Sequence, residues 1–330
     1  MGQKRKLSVL VFLFIIALLL SLCIGRFPLS IADIFRVLGN QATPLESSVF
    51  WQLRLPRTIL VLASGMALSV AGTALQKLFG NPLASPDIIG VTSGCSAGAA
   101  LGIVLFSGSY LTVQIFSFFG GLAAMGFAIV LAGMLKTNRV LGLILAGIAS
   151  SALSTAVIMI MKYLADPLHQ LSSVDFWLMG GFYTASWKQA AFVLPIVIVG
   201  SVLLLLLSWQ LQVLSYGSEQ AKSLGISVDA LRIGVLLVTT LMIAAVVSAS
   251  GLISWVGLIA PHIANRYQKK EKRYHMIYSA IIGAALLLFA DTIAKSLTAN
   301  ELPISIVTTL LGVPVLLYVT MKMKKQQLAK

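Results

Sequence analysis

The residues suited to binding chemistry are few. Arg54 and Arg57 enclose Leu55-Pro56 at the edge of an apolar run, two guanidinium groups three positions apart. On one rim, such a pair would offer planar N–H forks to carboxylates. The plainer reading is that both arginines anchor a membrane edge by snorkelling. Asp291 stands four residues before Lys295, the spacing of an ion pair on one helix face. An acid at that depth is also what an ion-coupled carrier needs for a proton relay; a structural or docking role is the expectation. A polar stretch, Gly217-Ser218-Glu219-Gln220-Ala221-Lys222-Ser223-Leu224-Gly225, separates two apolar runs. His169, His262 and His275 lack metal-ligand spacing, and His262 reads as a structural hydrogen-bonding residue. No Gly-Lys pair exists to build the phosphate loop G-x-x-x-x-G-K-[ST]. Any uphill work would draw on a partner or an ion gradient.

The elements that carry these residues must sit in lipid. Of 330 residues, 58% are hydrophobic and 10% charged, with a mean hydropathy of +0.96. A soluble domain carries about 25% charged residues, so this chain could not cover itself with polar surface. The apolar runs are unbroken and longer than barrel strands, which makes the spans helices. They fall at 7–25, 58–76, two within 88–135 divided at Ser107-Gly108-Ser109, 140–161, 189–209, 233–250, a short glycine-punctuated 251–264, 278–297 and 302–321. The expected fold is an all-α polytopic membrane protein of about ten helices in one bundle, a single transmembrane domain over residues 1–330.

Charge sets the expected orientation. Lys4-Arg5-Lys6 precedes an apolar run as long as a spanning helix, with no small-x-small cleavage pattern behind it, so an uncleaved first span with its N-terminus inside is expected. With that start, most of the 24 lysines and arginines fall on inner segments, and keeping the short eighth span puts the basic 266–273 loop among them. A net charge of +14 could suggest nucleic acid. The basic residues instead cluster at the ends of apolar runs, with no basic face and no interleaved aromatics. Cys23 and Cys95 lie in apolar stretches and read as small core residues. Small residues crowd the spans, among them Gly65, Ser69, Gly72, Gly94, Ser96 and Gly98. They suit close helix packing or a lined pathway equally.

Five patterns now follow one another in order: Arg54-Leu55-Pro56-Arg57; Asn81-Pro82-Leu83-Ala84-Ser85-Pro86-Asp87-Ile88-Ile89-Gly90-Val91; the 217–225 stretch; Gly257-Leu258-Ile259-Ala260-Pro261-His262; and Glu301-Leu302-Pro303 with Gly312-Val313-Pro314. Together they resemble the iron–siderophore and vitamin B12 permeases of ABC importers, from about Arg26 to the C-terminus. The resemblance implies ten spans, an iron(III)–siderophore cargo, and a multi-pass place in the bacterial inner membrane with both termini cytoplasmic. It also implies a second permease subunit, identical or related, two ATPase subunits that carry ATP and Mg, and an extracytoplasmic substrate-binding protein. No cofactor, catalytic group or metal ligand is expected on this chain itself, since a siderophore already fills its iron's coordination sites.

Residue by residue, the resemblance makes Arg54 and Arg57 the cations that receive acidic groups of the binding protein. A third docking cation matches Lys295, where the family more often has arginine; lysine keeps the charge and loses the bidentate fork. The polar stretch alone suggests a short helix along the membrane surface, ended by Gly225. By resemblance it is the coupling helix, about 215–227, with Ser218, Glu219, Gln220, Ala221, Leu224 and Gly225 facing the ATPase and Leu224 as apolar anchor. In the 81–94 connection, Pro82 and Pro86 stop the preceding helix, and Asp87 is expected to cap the next one. The family places Asn81, Pro82, Ser85, Pro86, Ser93 and Gly94 near the inner mouth of the pathway. After His262 the family usually has arginine three residues on. Asn265 stands there, and Arg266 is turned by about 100° on a helix. The rival readings are vitamin B12 or haem import, an ion-coupled secondary transporter working through Asp291, and a membrane scaffold.

Overall fold

The computed structural model describes residues 3–106, 108–135, 139–267, 274–298 and 301–328. Ser107, Lys136, Lys269, Lys270, Lys272, Arg273 and Lys330 lie outside them, as do the side chains of residues 1–6, 319–320 and 322–328, so much of the inner-loop charge argument falls outside the described residues. The chain forms α1 (Gln3–Cys23), α2 (Ile31–Leu38), α3 (Pro44–Ser48), a wide helical turn (Val49–Arg54), α4 (Leu55–Phe79), a tight helical turn (Pro86–Ile89) and α5 (Val91–Leu105). It continues with α6 (Tyr110–Met134), α7 (Arg139–Leu164), α8 (Gln170–Met179), α9 (Trp187–Leu206), α10 (Ser208–Leu214), α11 (Ser218–Ser223) and α12 (Val228–Ser250). Three more helices close it: α13 (Val256–Tyr267), α14 (His275–Ala294) and α15 (Ile304–Leu328). Among the described residues, 6 helical segments are long and apolar enough to cross a membrane: Pro44–Phe79, α6, α7, α9, α12 and α14. Shorter apolar helices occupy Leu7–Cys23, Val91–Leu105 and Ile304–Tyr318.

The helices overlap the charge-free runs, with the ends of several displaced. The second span begins earlier: helical backbone runs unbroken from Pro44 to Phe79 through the wide turn Val49–Arg54, and Leu55 marks the return to ordinary α-helical pitch. The sixth stops at Leu206, and Ser208–Leu214 is a separate helix. The eighth loses its first residues: Gly251 and Trp255 have φ of +67° and +73°, which no continuous helix admits, so the 12-residue α13 begins only at Val256. The positive φ at Gly251 serves a close approach, since a Cβ there would run into the Trp177 carbonyl oxygen.

The chain folds as two compact units. One comprises residues 1–70, 181–197 and 254–330. In it α14 packs against α1, α13 and α15, and Leu10, Ala260, Ala264, Tyr278 and Ile282 form a buried cluster. α4 meets α14 backbone to backbone: a Cβ on Gly65 would lie 2.5 Å from the Gly283 carbonyl oxygen. Lipid supplies no hydrophobic drive between helices, so such small-residue seams hold by dispersion. The other unit comprises 71–180 and 198–253. Here α5 lies against α6 and α7, with α12 behind α5 and α6. Its seam is again glycine on glycine, with a Cβ on Gly120 falling 2.5 Å from the Gly94 oxygen.

Two further helices, α2 and α3, occupy a segment in which the apolar runs gave no sign of structure. Each starts with a reciprocal cap. Ser30 Oγ accepts from the Asp33 amide at 3.1 Å while the Ser30 amide donates to Asp33 at 2.8 Å, and Thr43 and Glu46 repeat the arrangement.

Candidate functional site

The densest charge cluster lies in the first unit, where α4 begins and α14 ends. Asp291, 1% exposed, faces Arg57: the guanidinium donates from Nη2 at 2.8 Å and from Nε at 3.1 Å to Oδ1. The remaining nitrogen, Nη1, donates to Glu301 Oε2 at 2.8 Å. Lys295 Nζ approaches Asp291 Oδ2 at 3.4 Å and donates to the Ser21 carbonyl oxygen at 2.7 Å. That carbonyl sits in the last turn of α1, where helix ends leave acceptors open and favour cations. Arg54 donates to the carbonyl oxygens of Ile24 and Phe27, the latter at 3.1 Å.

The three cations expected on an open rim are therefore turned inward. Arg54 and Lys295 are buried and the Arg57 side chain is 12% exposed. The physical reason is the carboxylate. An isolated charge in a low-dielectric site is too costly to keep, so Asp291 recruits two cations, and open carbonyls after α1 take the third. The helical Asp291–Lys295 pair is where its spacing puts it. Arg57 and Glu301 join from two of the short patterns noted in the sequence, neither of which shows that it meets Asp291 or its neighbours.

The polar stretch lies in the second unit. α11 is held between glycines in positive φ, Gly217 at +138° and Gly225 at +76°, and packs on α10 and α12. Ala221 is buried, and Ser218 Oγ accepts from Arg232 Nη2 at 2.8 Å, which ties the short helix to the first turns of α12. Glu219, Gln220 and Leu224 face outward, Leu224 being 59% exposed. Glu219 pairs with Lys222 at 3.2 Å. α11 thus presents one large apolar side chain, Leu224, beside exposed Tyr216.

In the 81–94 connection, Asn81 Oδ1 accepts from the Leu83 amide at 2.9 Å, and Pro86 opens the tight turn. Asp87 does not cap α5 through its backbone. Gly90, at φ +84°, holds the cap position, and Asp87 Oδ1 accepts from Thr92 Oγ1 at 2.7 Å. Gly94 lines a cavity of about 520 Å³ with Gly98, Phe116, Phe119, Ser150 and Ser154. Asn81, Pro82, Ser85, Pro86 and Ser93 are not among its lining residues. Gly94-Cys95-Ser96-Ala97-Gly98 carries the G-x-S-x-G spacing of a hydrolase elbow. Ser96 instead lies inside α5 and donates to the Thr92 carbonyl oxygen at 2.9 Å, so the spacing is incidental to helix packing. His262 Nδ1 lies 2.8 Å from the Leu258 oxygen, a bond within α13. No group of His, Cys, Asp and Glu suited to a metal occurs among the described residues.

The chain is helical, with several segments apolar enough to cross a membrane and the short polar α11 between two of them. The FecCD transport family model matches residues 13–322, and the chain belongs to that family, whose members are ABC importer permeases of the membrane. Among its relatives, the molybdate import system permease protein MolB of Haemophilus influenzae is 36% identical over 326 residues, covering 96% of this chain and 95% of MolB. The hemin transport system permease protein HmuU of Yersinia pestis is 34% identical, covering 95% of this chain and 96% of HmuU. A solved structure described as a metal-chelate type ABC transporter in an inward-facing conformation matches with a TM-score of 0.88 at 34% identity, covering 97% of this chain and all of that one. The cargoes these relatives are named for differ, so membership defines the machine and leaves the cargo open.

Proposed function

We propose that this chain carries iron(III)–siderophore complexes inward, as one half of a permease dimer of about ten spans per subunit with both termini cytoplasmic. The observation that carries the proposal is the near-complete match to the metal-chelate type transporter. Two ATPase subunits seat α11 in a groove, with Leu224 as apolar anchor, and nucleotide-driven closure tilts it as a rigid body. A substrate-binding protein docks near Arg54, Arg57 and Lys295. The 520 Å³ cavity is walled mainly by glycine, alanine, phenylalanine and aliphatic side chains, with the hydroxyls of Ser150 and Ser154 and no charged lining residue. Such a surface lets a bulky chelate slide where a tight site would retain it.

A second reading is molybdate import, favoured by the 36% identity to MolB along almost the whole of both chains. The deciding experiment is uptake by cells with and without this gene. They are offered ⁵⁵Fe on a panel of siderophores, then ⁹⁹Mo-molybdate, haemin and cobalamin. Loss of one siderophore's iron, restored by wild type and not by Leu224→Ala, supports the proposal and names the ligand. Loss of molybdate uptake alone overturns it in favour of the second reading, and loss of haemin or cobalamin uptake alone overturns it as well.

A further inference from the structure

α2 sorts its side chains into three sectors. At about 100° per residue, Ile34 and Val37 share one side, and both are buried against Leu29, Val49 and Phe50. Ala32, Asp33 and Arg36 share another side, and Arg36 reaches Asp33 across one turn. Ile31, Phe35 and Leu38 lie on the third, and all are exposed, at 53%, 69% and 58%. A helix on a soluble surface needs two sectors, one for core and one for water. A third sector, wholly apolar and uncovered, is what a helix needs when it rests beside a bundle with lipid beneath and water above.

The surroundings point to the same occupant. α2 follows the apolar α1 and precedes the Pro44–Phe79 span, so it stands at a level where the chain leaves and re-enters the membrane. In sequence α2 is flanked by further exposed apolar residues, Phe12, Ile15 and Leu19 in α1, then Phe27 before it and Leu45 after it. Trp51 and Trp187, both partly exposed, are joined by a bond from Trp187 Nε1 to the Trp51 carbonyl oxygen at 2.8 Å. Indoles with one wet and one apolar side collect at the headgroup level.

We propose that α2 is an interfacial helix docked on the bilayer, with Ile31, Phe35 and Leu38 sunk into the boundary between headgroups and acyl chains. The docked helix fixes the loop ahead of it, whose Ile24 and Phe27 carbonyls hold Arg54. The lipid surface is thereby part of what positions the cation cluster.

The test is nitroxide accessibility in the full-length permease, with Cys23→Ser and Cys95→Ala, in phosphatidylethanolamine–phosphatidylglycerol vesicles. Labels at Phe35→Cys and Leu38→Cys should collide several-fold more with oxygen, which partitions into lipid, than with a water-soluble nickel chelate. A label at Ala32→Cys should show the reverse preference. Ile31→Cys repeats the reading should Phe35→Cys fail to assemble. Nickel accessibility at Phe35 equal to that at Ala32 would place the face in water and overturn the proposal. Exclusion of both reagents at Phe35 would mean that protein covers it, which also overturns the proposal.

Discussion

Arg57 and Asp291 are 234 residues apart in sequence and meet through three hydrogen bonds, the shortest 2.8 Å from Nη2 to Oδ1. That junction ties the start of α4 to the end of α14, and with Lys295 and Glu301 it makes a cluster of two cations and two anions. Removing one partner leaves a buried charge facing a single remaining neighbour.

Arg57→Ala should therefore lower stability by about 3–5 kcal/mol. The double change Arg57→Ala with Asp291→Ala should recover part of that loss. Thermal unfolding of the purified permease in detergent, read as Tm for both singles and the double, measures the coupling. Strictly additive losses would show that the pair carries no interaction of its own.

Glu301 accepts from Arg57 Nη1, the guanidinium nitrogen that does not face Asp291. If the binding protein docks there, Glu301→Ala removes a competing carboxylate, and the Kd for the binding protein should fall. Surface plasmon resonance against the reconstituted permease reads it. An unchanged Kd would confine Arg57 to holding α4 and α14 together.

Leu224→Ala and Glu219→Ala touch exposed side chains and should leave stability within about 0.5 kcal/mol. ATP-driven uptake should nevertheless collapse with Leu224→Ala, and stimulation of the ATPase by the permease should fall with it. Retained uptake with an unchanged Tm would remove α11 from the coupling path.

The glycine seams predict opposite outcomes at two positions of similar sequence context. Gly98→Val drives a side chain into the Phe116 carbonyl and should cost about 1–3 kcal/mol or more. Gly126 has nothing within 4 Å of the new Cβ, so Gly126→Ala should gain about 0.5–1 kcal/mol from helix propensity. The two Tm values, measured side by side, decide it.

Acid should spare α2 longer than its composition suggests. The Ser30 amide and hydroxyl, with Arg36, hold the Asp33 carboxyl below its ordinary value of 3.8. A lowered folded value means the cap's stabilisation is present in full above the unfolded value and disappears only as pH falls through the lower one. Hydrogen-exchange protection of residues 34–38, corrected for intrinsic rates, should persist below pH 3.8 in the wild type. Asp33→Asn should be less protected already at neutral pH.

Much of the architecture was legible in the sequence because lipid imposes long, uncharged runs, and α6, α7, α12 and α14 lie where those runs are. Gly225 signalled the end of α11, and Asp291–Lys295 was legible as a spacing of four. What the runs could not show is what depends on partners distant in sequence. Arg54, Arg57 and Lys295 look like rim cations until Asp291 and the carbonyls after α1 are seen to claim them. α2 and α3 went unread for a different reason. Hydropathy over a long window averages out an eight-residue helix, although Ser30-x-x-Asp33 and Thr43-x-x-Glu46 spell capping boxes in plain letters.

The Arg57–Asp291 junction also bears on how the chain is made. Arg57 is synthesised 234 residues before its partner, which at 5–20 residues per second is an interval of roughly 10–50 s. An unpartnered arginine within a span costs an insertion machinery about 2.5–3.5 kcal/mol at mid-helix and less near an end. Arg57 lies in the first turn of α4, where its side chain can wait at the headgroups. A cation born early and near the surface can thus be carried inward late, when α14 arrives with the acid that claims it.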